Sequence, residues 1–253
     1  MPAPTASPED HVEAARIAQS TGELLVNLRE QMVAEGTATS MLKYSGDRSA
    51  HEHIVHELAL RFPDDAVLSE EGVDRAERLA SPRTWIVDPL DGTREYGDYP
   101  RPDWAVHIAL VIDERPVAGA VALPAMGLTL GTAEPPVLPD REPGPPRVIV
   151  SRSRPPAAAL IVAQALGADM VALGSAGAKA MAVVLGHADL YVHSGGQYEW
   201  DSCAPVAVAA AAGLHVSRID GSELRYNQPD PYLPDLLICR REFAPEVLSA
   251  LFG

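Results

Sequence analysis

Two cysteines, Cys203 and Cys239, are too few and too far apart in 253 residues to read as a disulfide framework. Each sits inside an apolar stretch, as a buried thiol in a reducing compartment would. Basic residues are also scarce: 20 Lys and Arg stand against 35 Asp and Glu, for a net charge of −15. Binding to a nucleic-acid polymer or an anionic membrane needs a basic face, so this balance argues against both partners. Small phosphorylated ligands stay open, because bound divalent cations reverse the field of an acidic pocket. No apolar run is long enough to cross a bilayer. The N-terminal stretch "MPAPTASPEDHVEAARIAQ" is acidic and lacks the apolar core of an export signal. A cytoplasmic protein is expected. Internal repeats and heptads are absent too, which excludes solenoids and coiled coils.

What is present is core material. Hydrophobic residues make up 47% of the chain, enough for one large domain or two closely packed ones. Val12, Ala15, Leu24, Leu25, Leu28 and Met32 recur at helical spacing through residues 9–34. After "YSGD", read as a break, Asp47 is placed to N-cap a second helix. "DAVLSEEG" and "TWIVDP" read as strands that run out into acids. The stretch from "WAVHIALVI" to "GLTLGTA" alternates as an antiparallel meander with a turn at "DERP". The proline-rich run "EPPVLPDREPGPP" marks a boundary, with an α+β part over 1–145 and an α/β part over 146–253. In the second part, strand-like "RVIVS", "ADMVAL", "ADLYVH" and "GLHVS" alternate with helical runs at 155–166, 175–186 and 202–213.

The chemistry lies in "DPLDGT" (88–93) and its distant acidic partners. Alone, the hexapeptide is a turn former. Yet Glu70, Asp88, Asp91 and Asp201 each fall where an expected strand ends or helix begins, so they can converge on one sheet edge. Crowded carboxylates repel unless cations neutralise them, and hard oxygen donors suit Mg²⁺ or Mn²⁺ better than Zn²⁺. Pro89 stiffens the link between Asp88 and Asp91, and the Leu90 carbonyl is a further donor between them. Gly92 lets a phosphate approach the main chain, where the amides of Gly92 and Thr93 open a helix. The Thr93 hydroxyl can orient a water and pass its proton to Asp47. Glu71 receives no role. His51, His53 and His56 miss zinc-protease spacing, because Val55 stands where a histidine is needed. They read as a solvated helix face, and "HSGGQ" reads as a turn. Tyr96 and Trp104 are candidates to stack on a base, with core packing the competing reading for Trp104.

In order, Asp47, Glu70-Glu71, "DPLDGT" and "EWD" ending at Asp201 resemble the pattern of the inositol monophosphatase superfamily over nearly the whole chain. The resemblance implies the layered αβαβα sandwich of the inositol monophosphatase and fructose-1,6-bisphosphatase type, with the site between its two parts. It implies lithium-sensitive, metal-dependent phosphomonoester hydrolysis with two or three Mg²⁺, and Mn²⁺ as a substitute. Metal ligands would be Glu70, Asp88, the Leu90 carbonyl, Asp91 and Asp201, with Asp47, Thr93 and Glu70 catalytic. Members are often homodimers.

Within the superfamily, "DGTREY", "VSRSRPP", "GSAGAKAM" and "YEWDSCAP" resemble the 3′(2′),5′-bisphosphate nucleotidase branch of bacterial CysQ type. The expected substrate is then a small nucleotide, 3′-phosphoadenosine 5′-phosphate, cleared to AMP in sulfate assimilation. Its second phosphate calls for a cation away from the metals, which Lys179 and Arg154 can supply. Gly92, Thr93, Ser175 and Asp201 complete the substrate-binding set. Against binding, a lysine in an apolar helix more often snorkels to water. Arg154 and His193 depart from the branch pattern, and the metal-ligand positions do not. An inositol or fructose-bisphosphate phosphatase on the same scaffold, and a catalytically silent metal-binding regulator, are the alternatives.

Overall fold

The computed structural model describes residues 5–253, so the first four residues of the stretch read for an export signal lie outside the described residues. Two long helices, α1 (Pro8–Ala34) and α2 (Thr39–Arg61), lead into strands β1 (Ala66–Ser69) and β2 (Thr84–Asp91). A short helix α3 (Thr93–Gly97) precedes β3 (Ala105–Ile112), β4 (Arg115–Leu123) and β5 (Leu128–Gly131). After the proline-rich run come β6 (Arg147–Ser151), α4 (Ala157–Leu166), β7 (Asp169–Leu173) and α5 (Ala176–Val184). Then follow β8 (Leu190–Tyr198), α6 (Glu199–Ala211), β9 (His215–Ser217), β10 (Tyr232–Cys239) and α7 (Ala244–Phe252). The first sheet has the order β1-β2-β3-β4-β5, parallel only between β1 and β2. The second has the order β7-β6-β8-β10-β9, with β6 parallel to both neighbours and β10 antiparallel to both of its own.

Period-two alternation explains the stacking. Every residue of β2 and β3 is buried, so both faces of their sheet are covered. Trp85, Val87, Val106, Ile108 and Leu110 face one core with α1 and α2. Ile86, Ala105, Ala109 and Val111 face the other, filled by α5 and α6. That second core also takes Ile149, Tyr191, Leu236 and Ile238 from the second sheet, whose outer face is covered by α4 and α7. The five layers form the expected αβαβα sandwich.

Three local expectations change. The "YSGD" break does not exist: α2 runs straight through Gly46, and Asp47 lies in mid-helix rather than at a cap. A Cβ on Gly46 would lie 2.7 Å from Tyr96 Cε1 and 3.0 Å from Leu90 Cδ2, so glycine is there for close approach. The buried stripe of α1 also differs. It runs through Asp10, Glu13, Ile17, Thr21, Leu25 and Arg29, while Val12 is 56% exposed. Polar side chains could enter that stripe because they have partners, as Asp10 has in Arg83. "HSGGQ" is no turn but part of β8, bulged where its pairing with β10 shifts register.

Gly46→Ala is accordingly expected to destabilise the protein. Helix propensity favours alanine by about 1 kcal/mol, but overpacking against a buried ring costs roughly 1–3 kcal/mol. Thermal denaturation should show a lower Tm; an unchanged or higher Tm would mean that the ring yields.

Candidate active site

A bulge builds the centre of the site. Asp88 pairs with His107 and Asp91 with Ala105, so two residues of β2 oppose one of β3. Without the extra residue, Asp88 and Asp91 would point to opposite faces. With it, both turn toward α5 and α6, where the start of α6 brings Asp201. One carboxylate oxygen from each of Asp88, Asp91 and Asp201 lies within 4.8 Å of the others. Glu70, just past β1, stands beside Asp88, open to solvent on its outer side.

These acids are electrostatically unsatisfied. Among the described residues, no Lys or Arg forms an ion pair with Glu70, Asp88 or Asp201. Burial, reinforced by Glu70, Asp91 and Asp201, holds the Asp88 carboxyl well above the usual range. Burial and the charges of Asp201 and Asp91 push Glu70 up to about 7. Burial and Asp91 push Asp201 up to about 6. All the donors are oxygens, with neither thiol nor imidazole among them, so the cluster fits a hard divalent cation. Such an ion would satisfy the charge that the protein leaves unpaired.

Asp91 behaves differently. Burial again works against its charge, but the His107 imidazole beside it prevails and holds it down at about 2. Asp91 also accepts from the Ser175 hydroxyl, from the Ala176 amide at 3.1 Å and from the Gly177 amide at 2.6 Å, at the start of α5. The helix N-terminus thus stabilises the carboxylate.

His107 was not singled out in the sequence, where it is one residue of an apolar strand. It is fully buried, its Nδ1 is 3.0 Å from the Trp200 carbonyl, and its Nε2 is 3.3 Å from Asp91. A carbonyl only accepts, so Nδ1 carries a proton, and a proton on Nε2 suits the carboxylate. Burial opposes that charge, yet the Asp91 carboxylate beside it leaves the His107 pKa raised.

On the other side of the cluster, the Thr93 hydroxyl lies 3.1 Å from Asp47 Oδ1 and 3.2 Å from the Leu90 carbonyl. Burial, then the charge of Glu71, raises the Asp47 carboxyl to about 6. Gly92 has φ +88°, which an L side chain would resist. The first amides of α3 have no helical acceptor. The far end of α3 is capped by Arg29, which donates to the carbonyls of Glu95, Tyr96 and Arg101 at 3.1, 2.7 and 2.9 Å. The only sequence signal for Arg29 is its place four positions after Leu25, at the helical spacing of the buried stripe.

A cavity of about 360 Å³ adjoins Asp91 and Asp201. Gly92, Ser175 and Lys179 line it; Arg154 is exposed on the loop after β6 and does not. Lys179 does not snorkel to water: it is buried, its Nζ donates to the Gly174 and Ser175 carbonyls, and it lies 5.4 Å from the centre of the Tyr191 ring. Ser175 caps α5 and accepts from the Ala178 amide. The neighbouring Arg152, rather than Arg154, makes the ion pairs, to Glu95 and Asp103. Tyr96 and Trp104 are core residues, packed edge-to-face at 5.0 Å and shut off from solvent. The histidines of α2 form no zinc cluster among the described residues. His51 and His53 are not simply solvated, each pairing with a serine at 2.9 Å.

The inositol monophosphatase family model matches residues 11–134 and 148–251. The 3′-phosphoadenosine 5′-phosphate phosphatase of Mycobacterium bovis is 49% identical over 243 residues, covering 91% of this chain and 88% of its own. The crystal structure of CysQ from Bacteroides thetaiotaomicron, a bacterial member of that family, superposes with a TM-score of 0.74 at 26% identity. The match covers 92% of this chain and 98% of that one. Inositol monophosphatase II from Staphylococcus aureus shares the fold, with a TM-score of 0.80 at 19% identity over 96% of this chain and 95% of its own.

Proposed function

The chain belongs to the inositol monophosphatase family, and from that premise we propose that it is a metal-dependent phosphatase converting 3′-phosphoadenosine 5′-phosphate to AMP and phosphate. The observation that carries the chemistry is the carboxylate trio Asp88, Asp91 and Asp201, of which Asp88 and Asp201 have no Lys or Arg ion pair among the described residues, beside the Asp47–Thr93 pair. Substrate choice rests on the nearly half-identical relative bearing that name. Glu70, Asp88, the Leu90 carbonyl, Asp91 and Asp201 would hold two or three Mg²⁺, with Mn²⁺ able to replace them. When bound, such ions acidify a water and neutralise charge on the phosphoryl group and leaving oxygen.

The chain's own residues do the rest. The Thr93 hydroxyl, with its proton directed to Asp47, presents a lone pair that orients the attacking water. Asp47, raised toward neutrality, takes up the proton that the water sheds. The amides of Gly92 and Thr93 receive phosphoryl oxygens at the start of α3, in a backbone conformation that Arg29 holds from the other end. Lys179, with two N–H groups given to carbonyls, keeps a third for the substrate's other phosphate.

Purified protein with Mg²⁺ should release phosphate from 3′-phosphoadenosine 5′-phosphate with at least a tenfold higher kcat/KM than from inositol 1-phosphate or fructose 1,6-bisphosphate. The reverse ranking would overturn the substrate assignment. No release from any of the three would favour a silent metal-binding protein.

A further inference from the structure

The cavity beside the carboxylates has one aromatic wall that the proposed chemistry does not use. Tyr198 and Tyr232 both line it, and they remain 47% and 49% exposed. Exposed rings are common on protein surfaces, but these two are fixed in place. Tyr198 stacks on Trp200 at 4.8 Å with only 11° between the planes, and Tyr232 meets it nearly edge-on at 6.2 Å and 83°. Tyr198 is also next to the reacting centre: its amide donates to Asp201 Oδ2 at 2.6 Å.

The bulge of β8 leaves the space open. Gly195 and Gly196 have φ +107° and +86° and no side chains, so the cavity floor beside the wall is bare backbone. A Cβ on Gly196 would overlap the Tyr232 ring and hydroxyl, so the glycine allows that ring to lie down against the strand. Lys179 lines the same cavity. One pocket therefore holds a rigid aromatic surface, a cation and the carboxylate cluster. A flat heteroaromatic ring, an anionic group and a phosphoester joined through one sugar match those three features. A cyclitol phosphate has no π face to place on the wall.

We propose that Tyr198 and Tyr232 form the stacking wall for the nucleobase of the substrate and thereby select nucleotides over base-free phosphate esters. This rests on the nucleotide-phosphatase reading above and assigns its base-recognition residues. Because Trp200 already holds the Tyr198 ring, little side-chain entropy is lost when a base settles on it.

The test compares AMP with ribose 5-phosphate, which lacks only the base, by titration calorimetry on the full chain. The parent should bind AMP roughly tenfold or more tighter, the usual worth of one base–aromatic stack. Tyr198→Ala should bring the two affinities to within about threefold, Tyr232→Ala should narrow the gap, and Tyr198→Phe should keep it. In turnover, Tyr198→Ala should raise KM for 3′-phosphoadenosine 5′-phosphate by a similar factor with a smaller change in kcat. Equal binding of AMP and ribose 5-phosphate by the parent, or a preference that survives Tyr198→Ala, would overturn the proposal. A parent that prefers AMP yet releases no phosphate from the bisphosphate would instead sink the phosphatase reading and leave the wall standing.

Discussion

Asp91→Asn is expected to lower the rate of phosphate release by roughly a thousandfold while the circular dichroism spectrum stays that of the parent. The substitution keeps shape and one acceptor oxygen, so the Gly177 amide and the Ser175 hydroxyl still find a partner. It removes the negative charge that His107 and the start of α5 are arranged to hold. Removing one acid relieves repulsion with Asp88 and Asp201, and turning an NH₂ toward a donor costs on the order of 1–2 kcal/mol. The two effects oppose, and the fold survives. Divalent-ion binding has no such compensation, because Asp91 is the one member of the trio that the protein itself keeps ionised. Turnover within tenfold of the parent would sink the shared-carboxylate assignment.

The second large effect is on stability and depends on pH. Chelating divalent ions should abolish turnover, and adding Mg²⁺ to the stripped protein should raise Tm by an amount that grows between about pH 5 and pH 7.5. Glu70 and Asp201 have folded pKa values raised to about 7 and 6, and burial holds Asp88 well above its usual range. A raised carboxyl costs nothing below its unfolded pKa. The cost appears as pH climbs from there to the folded value, because the unfolded chain ionises first. Asp91 is lowered, so its contribution is present above about pH 4 and steady through this window. His107 is raised, so its contribution is complete below its ordinary value of 6.5 and fades above it.

His193 and His215 are lowered and slope the other way. Glu199, raised to about 7, slopes with the acids but ties down the amides of Asn227 and Gln228 instead. Because these three groups lie outside the proposed ligand set, the difference with and without Mg²⁺ isolates the cluster. Cations bind carboxylates only after the protons leave, so the difference must widen as pH rises. A Mg²⁺ effect that is flat across the window would reject the cluster as the binding site.

Much of the site was readable from residue types in order. Two acids around Pro-Leu, followed by Gly-Thr, together with distant carboxylates at strand and helix ends, carry the metal reading without any structure. Alternation and turn residues likewise predicted most of the strands and helices. Gly46 was misread because its role is set by Tyr96 and Leu90, about fifty residues away, and local glycine statistics point to a break. The same error occurred at Gly195 and Gly196, where a strand persists because β10 pairs across the bulge.

The sequence by itself determined the chemistry: which atoms are hard oxygen donors and where the backbone can bend. Only the tertiary structure decided which side chains serve that chemistry from outside the motif. Arg29 and His107 look ordinary in their own segments. A residue becomes a cap or a buried partner of Asp91 through neighbours that packing alone brings near. Local pattern records what a segment prefers, whereas burial and pairing are settled by long-range contacts between layers.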